Sequence, residues 1–497
     1  MSGKCIAAIA FVALLSSTAA AQDAKAVIST ASKAMGAENL NSISYYGSGA
    51  NFNLGQSNNA NGAWPRVNLN DYRRAIDFTQ PASRASAVTY GVPVTGGPAA
   101  QAAFNQNINT PGAPANPANN TWAQQLEIWV TPWGFLKGAA ANNATVQAQT
   151  VAGRRFNVVT WMAPIKSPGG QPYRVVGYIN PQNLVERVET WLENPVLGDM
   201  HVETLYSEYR DNNGLKYPAT IVQKRAGWPT FEAQILGADA NPANIKELLT
   251  PPPPPAGRGA GPGPGGGPPP APPAASSEKL AEGVYRITGG YVALAVEFAD
   301  HILVYEGAPQ NEARALAILA EAKKVIPNKP IRYAVLSHHH FDHTSGIAAP
   351  VAEGAAIVTH EVNRAFFEKA LNTPRTLAPD VMSKSGKKAK IETVTGDKRV
   401  FQDATRVVEL HHIKGLPHAD GMLVAYLPKE RIIAYADMFN LPPADNPVPN
   451  PPVVGTQVMV ANLERLKLDY DTVVSVHAPN PDRPIKKTDI LASLGKK

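Results

Sequence analysis

A short segment in the C-terminal half of the chain combines three imidazoles and a carboxylate in the pattern H-x-H-x-D-H. Its ligand candidates are His338, His340, Asp342 and His343. Imidazole nitrogen and carboxylate oxygen are ligands that zinc and other borderline divalent metals prefer. The apolar run 331–336 (IRYAVL) directly before it predicts a buried strand. If the chain stays extended as far as His340, the first two histidines point to the same side, and Asp342 and His343 lie around the turn, able to face a second ion.

Three further candidate ligands each follow an apolar, strand-like run. These are His418 after RVVELHHI, Asp437 after RIIAYA and His477 after TVVSV. Ligands at the ends of successive strands meet at one edge of an α/β sheet. The sequence therefore predicts that these side chains converge with the histidine cluster.

Over residues 278–497 this pattern resembles the metallo-β-lactamase superfamily. The resemblance implies an α/β fold, a four-layer αβ/βα sandwich, with two divalent metal ions, Zn²⁺ ahead of Fe or Mn. It implies three groups of ligands: His338, His340 and His418 on the first metal, Asp342, His343 and His477 on the second, and Asp437 bridging the two.

The chain departs from the family pattern at two places. Glu306 stands where the family usually has an aspartate after the strand, and Ser345 stands in the Gly-Gly that often follows the histidine cluster. Neither is a predicted ligand, so the departures concern local backbone geometry. Asp420, two residues beyond His418, is a candidate acceptor for a ligand histidine.

The remaining histidines of this part are predicted not to bind metal. We expect second-shell or surface positions for His339, His411 and His412, and structural roles for His301 and His360.

A dinuclear site of this kind supports hydrolysis. Two ions about 3.5–4 Å apart activate a bridging hydroxide and polarise a carbonyl. Asp342 is the candidate catalytic residue that orients the hydroxide and passes its proton to the leaving group. We expect cleavage of an ester, lactone, thioester or amide. The β-lactam ranks lower, because the common cysteine-bearing lactamases have Cys where this chain has Asp437.

Two alternatives stay open. The same ligand set could hold iron in an oxidoreductase of the superfamily, or the protein could bind a lipid or other ligand and carry a vestigial metal domain. Metal analysis separates hydrolysis from redox chemistry, and the intact ligand set argues against the vestigial domain.

Length and composition fit about three domains or two large ones. The chain has 497 residues, 44% of them hydrophobic, and a net charge of +6. This charge is mild for the size and is not concentrated in basic blocks, so no nucleic-acid partner is expected. A small-molecule substrate fits the site better.

The N-terminus resembles a secretory signal. Lys4 precedes an apolar run at 6–15, and small residues end at Ala21, where we expect cleavage. The run is too short for a stable membrane span. We therefore expect a periplasmic or secreted protein with a signal peptide at 1–21. Its single cysteine, Cys5, lies in this segment, so the mature chain has no disulfide and no thiolate ligand.

Residues 22–249 are predicted to form a β-rich domain. Helical spacing at 24–35 is followed by short β-branched and aromatic stretches, which predict an antiparallel meander. LEIWVT at 126–131 is one of these predicted strands, and 98–120 is predicted to be a long insertion. The run 205–221 resembles the half-barrels of outer-membrane lipoprotein-sorting proteins, which implies a lipid or protein ligand. The tryptophans of this half are predicted to be core residues more often than groove-lining ones.

A Pro/Gly-rich segment separates the two halves. Residues 250–277 are predicted to be a disordered linker and 278–497 the metallo-β-lactamase-like domain. We expect the C-terminal domain to fold without the N-terminal half. We also expect 372–388 and 441–454 to form the rim of its pocket.

Overall fold

The computed structural model describes most of both halves. The predicted signal peptide lies outside the described residues, as does most of the predicted linker. Among the described residues, no helix is long and apolar enough to cross a membrane. The described ranges are 24–91, 101–109, 121–252, 274–441 and 452–496.

The N-terminal half is built on one antiparallel sheet, which in the described residues has eleven strands. They are β1 Ser42–Phe52, β2 Arg66–Asp77, β3 Ala82–Gly91, β4 Gln101–Ile108, β5 Thr145–Val151, β6 Arg154–Lys166, β7 Pro172–Ile179, β8 Val185–Asn194, β9 Gly198–Asn212, β10 Leu215–Arg225 and β11 Trp228–Ala240. Their order is β4-β3-β2-β1-β11-β10-β9-β8-β7-β6-β5. Every neighbour follows in sequence except β1 and β11, whose pairing joins the two ends of the meander. The predicted antiparallel meander is confirmed, and its likeness to a half-barrel stays a prediction.

Four helices accompany this sheet in the described residues. They are α1 at 24–34, α2 Trp122–Trp129, α3 Pro132–Ala141 and α4 Ile245–Leu249. The predicted helix at 24–35 is confirmed, but the strand predicted at 126–131 is wrong, because these residues form the end of α2 and the turn to α3. Thr121 caps α2 by accepting from Gln124 N–H. Trp122 and Leu126, one turn apart, are both buried, so burial of a helical face overrides the β propensity of Ile and Trp.

The predicted insertion at 98–120 is also corrected in part. Residues 101–108 form β4 and pair with β3 in register from Ser83 with Ile108 to Tyr90 with Gln101. The stretch is rich in Ala, Asn and Gln, which gave no strand signal. The strand forms because its backbone pairs with β3, and this pairing overrides the low β propensity of its residues. Residues 98–100 and 110–120 lie outside the described part of the chain.

Two mixed sheets form the C-terminal half. The strands of the first are β12 Ser276–Ala281, β13 Val284–Thr288, β14 Ala293–Glu297, β15 Ile302–Tyr305, β16 Ile331–Val335, β17 Ala356–His360 and β18 Lys390–Val394. Those of the second are β19 Lys398–Gln402, β20 Val407–His412, β21 Leu423–Leu427, β22 Ile432–Tyr435, β23 Thr472–Ser475 and β24 Ile485–Lys486. Within the described residues each sheet follows the order of the sequence.

Seven α-helices of this half lie in the described residues. They are α5 Glu312–Val325, α6 Phe341–Thr344, α7 Ala348–Glu353, α8 Arg364–Asn372, α9 Val381–Ser385, α10 Val454–Arg465 and α11 Lys487–Ser493. Asn311 caps α5 by accepting from Arg314 N–H. Strands β15 to β18 run parallel, as do β22 and β23. Parallel strands end at a common edge, and this edge carries the candidate ligands.

Apolar residues of both sheets form one buried cluster. Val296 and Val335 of the first sheet belong to it together with Leu423 and Ala434 of the second. The sheets therefore share a core, while the four-layer arrangement of the whole half stays a prediction.

The two halves of the chain pack against each other extensively. A single apolar cluster runs from Ile28 of α1 to Met382 of α9. Arg375 donates from its guanidinium to the carbonyls of Pro195 and Val196, each at 2.8 Å. Asp199 accepts from the backbone N–H of Leu377 at 3.0 Å.

These contacts change two expectations. The segment 372–388, predicted to be a pocket rim, holds the two halves together. The other predicted rim, 441–454, lies mostly outside the described residues. The shared core also opposes the expectation that residues 278–497 fold alone, because separation exposes apolar surface on both sides. The domain boundaries themselves stay predictions.

Candidate metal centre

The histidine cluster follows the end of β16, as the apolar run before it indicated. The strand does not continue to His340: two bends lie between its last residue, Val335, and His340, whose φ of −60° and ψ of 147° place it at the N-terminus of α6. His338 and His340 nevertheless lie side by side, with ring centroids 4.5 Å apart. Asp342 and His343 lie in α6, around the turn from the first two candidate ligands. The predicted placement of the side chains is found, but the extended backbone from which it was derived is not.

The structure brings the three predicted ligands of the first metal together. One candidate ligand atom from each of His338, His340 and His418 lies within 4.8 Å of the other two. The Nε2 atoms of His338 and His418 face each other at 3.3 Å. His418 reaches this position on the loop that follows β20.

The three predicted ligands of the second metal also form a group. Candidate ligand atoms of Asp342, His343 and His477 lie within 4.8 Å of one another. His343 Nε2 lies 3.2 Å from Asp342 Oδ2. His477 follows β23, so this group joins the edges of the two sheets.

Asp437 lies between the two groups. Its Oδ1 is 2.7 Å from His477 Nε2, and its Oδ2 is 2.7 Å from His343 Nε2. The same Oδ2 lies 3.5 Å from His338 Nε2 and 3.7 Å from His418 Nε2. One carboxylate thus faces histidines of both groups, as a bridging ligand must.

The donor atoms fit divalent metals. His340 Nδ1 is buried and has no hydrogen-bond partner among the described residues. Its other nitrogen, Nε2, is already occupied by the carbonyl of Ser57 at 2.9 Å. A buried nitrogen without a partner costs free energy unless a cation binds it. The centroid of the His340 ring lies 4.5 Å from that of His338 and 4.4 Å from that of His418.

The electrostatics of the site favour neutral imidazoles in the first group. Burial lowers the pKa of His338 well below its ordinary value, and the His343 and His340 rings lower it further. Burial, followed by His418, lowers the pKa of His340 to about 3. Metal ligands must be unprotonated, so burial prepares these rings for metal at neutral pH.

Carboxylates have the opposite effect on His343. Burial disfavours its charged form, but Glu306 and Asp437 outweigh burial and raise the pKa of His343 well above its ordinary value. Burial likewise raises the pKa of Asp437, but the charges of His343 and His338 and the hydrogen bonds from His343 and His477 together outweigh burial, so that this pKa falls far below the usual range. Positive charge is therefore stabilised at this position.

Glu306, which the sequence showed only as a departure, contacts a ligand directly. It is fully buried, and its Oε1 is 2.7 Å from His343 Nδ1. This contact orients the ring so that Nε2 faces the site. From the sequence, Glu306 was expected to affect only the local backbone geometry. It nevertheless follows β15 much as Asp437 follows β22.

Three further residues contact the predicted ligands, and the sequence analysis did not predict them. The Tyr291 hydroxyl donates to Asp342 Oδ2 at 3.0 Å, and its ring centroid lies 4.3 Å from that of His477. Gln56 donates to Asp342 Oδ1, and the Ser57 carbonyl accepts from His340. Gln56 and Ser57 lie far away in sequence, in a stretch without a motif, so no local signal could have placed them here.

The structure narrows the expectation for two other histidines and corrects that for Asp420. His339 and His411 are buried, which removes the surface alternative for both. His411 Nε2 is 2.7 Å from Glu409 Oε2. The Asp420 carboxylate lies 3.9 Å from His412 Nε2, and among the described residues no hydrogen bond joins it to His418.

Comparisons with known proteins agree with the ligand pattern. The family model of the metallo-beta-lactamase superfamily matches residues 293–477. Solved structures similar to the chain include metallo-beta-lactamases from Hirschia baltica and Pontibacter korlensis, at 16% and 17% identity, each with a TM-score of 0.32. They cover 44% of this chain and 96% and 97% of their own.

A third similar structure is a metallo-beta-lactamase from Erythrobacter litoralis in its mono-zinc form. It is 20% identical, covers 45% of this chain and 95% of its own length, and has a TM-score of 0.30. The comparison with curated proteins found no significant match. Over residues 293–477 the chain matches the family model, and this part of it belongs to the metallo-beta-lactamase superfamily.

Proposed function

We propose that the protein is a metal-dependent hydrolase with a dinuclear centre in its C-terminal half. The observation that carries the proposal is the pair of ligand groups that share Asp437. Each group offers three ligand atoms within 4.8 Å, and Asp437 contacts histidines of both groups. Members of the superfamily are mostly metal-dependent hydrolases, which agrees with this arrangement.

The roles of the residues follow from their contacts. His338, His340 and His418 would hold the first ion, and Asp342, His343 and His477 would hold the second. Asp437, which faces histidines of both groups, would bind both ions. Two such ions would supply an activated water and a polarised carbonyl.

Asp342 is the residue that orients the attacking water and passes its proton to the leaving group. Burial raises its pKa, but the hydrogen bonds from His343 and Gln56 and the charge of His343 together outweigh burial and keep the pKa below the usual range. The carboxylate is therefore charged at neutral pH and can accept a hydrogen bond from the attacking water. Tyr291, which donates to its Oδ2, fixes the direction of this carboxylate.

The substrate class is part of the proposal. An aspartate at 437 favours an ester, lactone, thioester or amide over the β-lactam of the cysteine-bearing lactamases. The proposal includes a small-molecule substrate, zinc ahead of iron or manganese, and a periplasmic or secreted location after loss of 1–21.

Metal analysis of the purified chain, combined with a panel of chromogenic esters, lactones, thioesters and β-lactams, tests the proposal. We expect about two zinc ions per chain, turnover of at least one ester-like substrate, and loss of that turnover with a chelator. Stoichiometric iron with oxygen consumption and no hydrolysis would replace the proposal by the oxidoreductase. A chain that binds no divalent metal would overturn both.

A further inference from the structure

A loop of the N-terminal half lies on the metal centre. Residues 53–65, which connect β1 to β2, are here called the clasp loop. The Gly55 carbonyl accepts from Phe341 N–H at 3.2 Å, and the Asn58 carbonyl accepts from Asp420 N–H at 2.7 Å. Phe341 belongs to the segment of the first ligands, and Asp420 follows His418. The clasp loop thus spans the two chain segments that carry the ligands of the first metal.

The Ser57 carbonyl at the centre of this loop fixes a ligand. Ser57 is 1% exposed, and its carbonyl accepts from His340 Nε2 at 2.9 Å and from His339 Nε2 at 2.8 Å. A ligand histidine keeps its ring direction when its second nitrogen donates to such an acceptor. Here the acceptor assigns Nε2 of His340 to the carbonyl and leaves Nδ1 for the metal.

Gln56 fixes a second ligand. Its side-chain amide donates to Asp342 Oδ1 at 2.8 Å, while Tyr291 donates to Oδ2 at 3.0 Å. Both oxygens of Asp342 therefore have a donor, one from each half of the chain. A carboxylate held at both oxygens is oriented before the metal arrives.

The clasp loop packs closely against the chain segments that carry the candidate ligands. A Cβ added at Gly55, whose φ is +81°, would lie 2.3 Å from the Phe341 ring, so only glycine allows this approach. Trp64 packs edge-on against the same ring, with centroids 6.1 Å apart. The Asn58 amide donates to the carbonyls of Leu416 and Pro417, next to His418.

We propose that the clasp loop is a built-in part of the metal centre, in which Gln56 positions Asp342 and the Ser57 carbonyl positions His340. The inference rests on the proposed function only in that the centre must hold metal. It gives the N-terminal half a direct role: without the clasp loop, His340 loses its carbonyl acceptor and Asp342 loses one of its two donors.

The Gln56→Met substitution in the full-length protein tests the first contact. Methionine has about the same length and lacks the donor. We expect zinc affinity at the site that contains Asp342 to fall by about tenfold in chelator competition, the loss typical when a residue that orients a metal ligand is removed. The absorption spectrum of the cobalt-substituted protein should change as well, while the melting temperature of the metal-free chain stays the same. Asn61→Ala, an exposed position of the same loop, is the control and should leave all three measurements unchanged.

A shortened loop tests the Ser57 carbonyl, which no side-chain substitution removes. Phe52 and Arg66 are directly paired across β1 and β2, so Asn-Gly in place of 53–65 closes a two-residue hairpin. We expect zinc affinity to fall by about ten- to a hundredfold at the site that contains His340. Ser57→Ala keeps the carbonyl and should bind zinc as the wild type does.

The outcomes separate the inference from the proposed function. Wild-type protein that binds no divalent metal would overturn the proposed function. Wild-type protein that binds two ions, with a Gln56→Met variant of equal affinity and identical cobalt spectrum, would overturn the role of Gln56. Wild-type affinity in a folded short-loop variant would overturn the role of the carbonyl.

Discussion

At the scale of single residues, two carboxylates at strand ends have unusual backbone conformations. Glu306 and Asp437 have φ of 62° and 56°, in the left-handed region. This conformation costs an L-residue about 1–2 kcal/mol, and aspartate and asparagine adopt it more readily than glutamate. Both side chains are turned to His343, which lies between them. Backbone strain at these positions is consistent with a site whose geometry is set by function.

Asp437→Asn isolates the charge of the bridging residue, because asparagine tolerates the left-handed backbone. We expect the variant to lose the second metal first, since the first keeps three histidines. Turnover should fall by at least about a hundredfold, because one ion alone cannot stabilise both the attacking and the leaving oxygen. Chelator competition and steady-state kinetics on the best substrate of the panel measure both effects.

Asp420→Ala is the matched control for that substitution. Asp420 is near the site in sequence, but its carboxylate lies toward His412. Metal content and turnover should stay near those of the wild type. An Asp437→Asn protein with two ions and full turnover would contradict the bridging role.

His412 makes the folded state sensitive to acid. Burial, and then the neighbouring His360 ring with its centroid at 4.0 Å, lower the pKa of His412 to about 4. In the unfolded chain this pKa is near 6.5. Between these values the unfolded chain binds more protons, so the stabilising contribution is present above about pH 6.5 and is lost as the pH falls toward 4.

The His412→Gln substitution measures this contribution. The free energy of unfolding in urea, recorded for variant and wild type between pH 7 and pH 4.5, should fall less steeply for the variant. If the difference in the free energy of unfolding between variant and wild type stayed constant over this pH range, His412 would have the same pKa in the folded and the unfolded chain.

At the scale of elements, the segment after α8 joins the two halves. Arg375 is buried, donates to two carbonyls of the turn before β9, and forms an ion pair with Asp380 at 2.9 Å. Asp199, at the start of β9, accepts from the backbone of the same segment. An irregular segment is therefore fixed by charge-assisted hydrogen bonds on both sides.

Arg375→Ala should destabilise the chain by about 3 kcal/mol, since hydrogen bonds to charged groups contribute about 1.5–3 kcal/mol and their buried partners are left without a donor. Metal content should stay unchanged, because the segment contacts no ligand in the described residues. Unfolding in urea, followed by tryptophan fluorescence, measures the loss. Arg364→Ala, which removes an exposed ion pair with Glu368, is the control and should cost less than about 1 kcal/mol.

At the scale of the whole molecule, the metal centre depends on both halves. One apolar cluster contains residues of each half, and the clasp loop contacts the ligands. A fragment of residues 274–497 would expose the C-terminal side of this cluster to water and would lose the Ser57 carbonyl. Exposed apolar surface of this kind promotes association.

We therefore expect the fragment 274–497 to be poorly soluble or to bind zinc at least about tenfold more weakly than the full chain. Size-exclusion chromatography and chelator competition measure the two effects. Addition of the separately expressed fragment 24–252 should restore part of the affinity. A monomeric fragment with the zinc affinity of the full chain would show that the C-terminal half is independent.

The sequence by itself predicted the candidate ligand set. The spacing of His338, His340, Asp342 and His343 and the apolar run before them belong to one short segment. The strands before Asp437 and His477 were likewise visible, because apolar periodicity is a local property of the chain.

Only the tertiary structure decided which groups surround those ligands. A backbone carbonyl such as that of Ser57 has no sequence signature, and Gln56 lies 286 positions from its partner Asp342. The helix at Trp122–Trp129 and the strand at Gln101–Ile108 were decided in the same way, by burial of one face and by pairing with a neighbour. Contacts between distant segments depend on how the two halves pack, and packing energy is shared over many residues that no single motif contains.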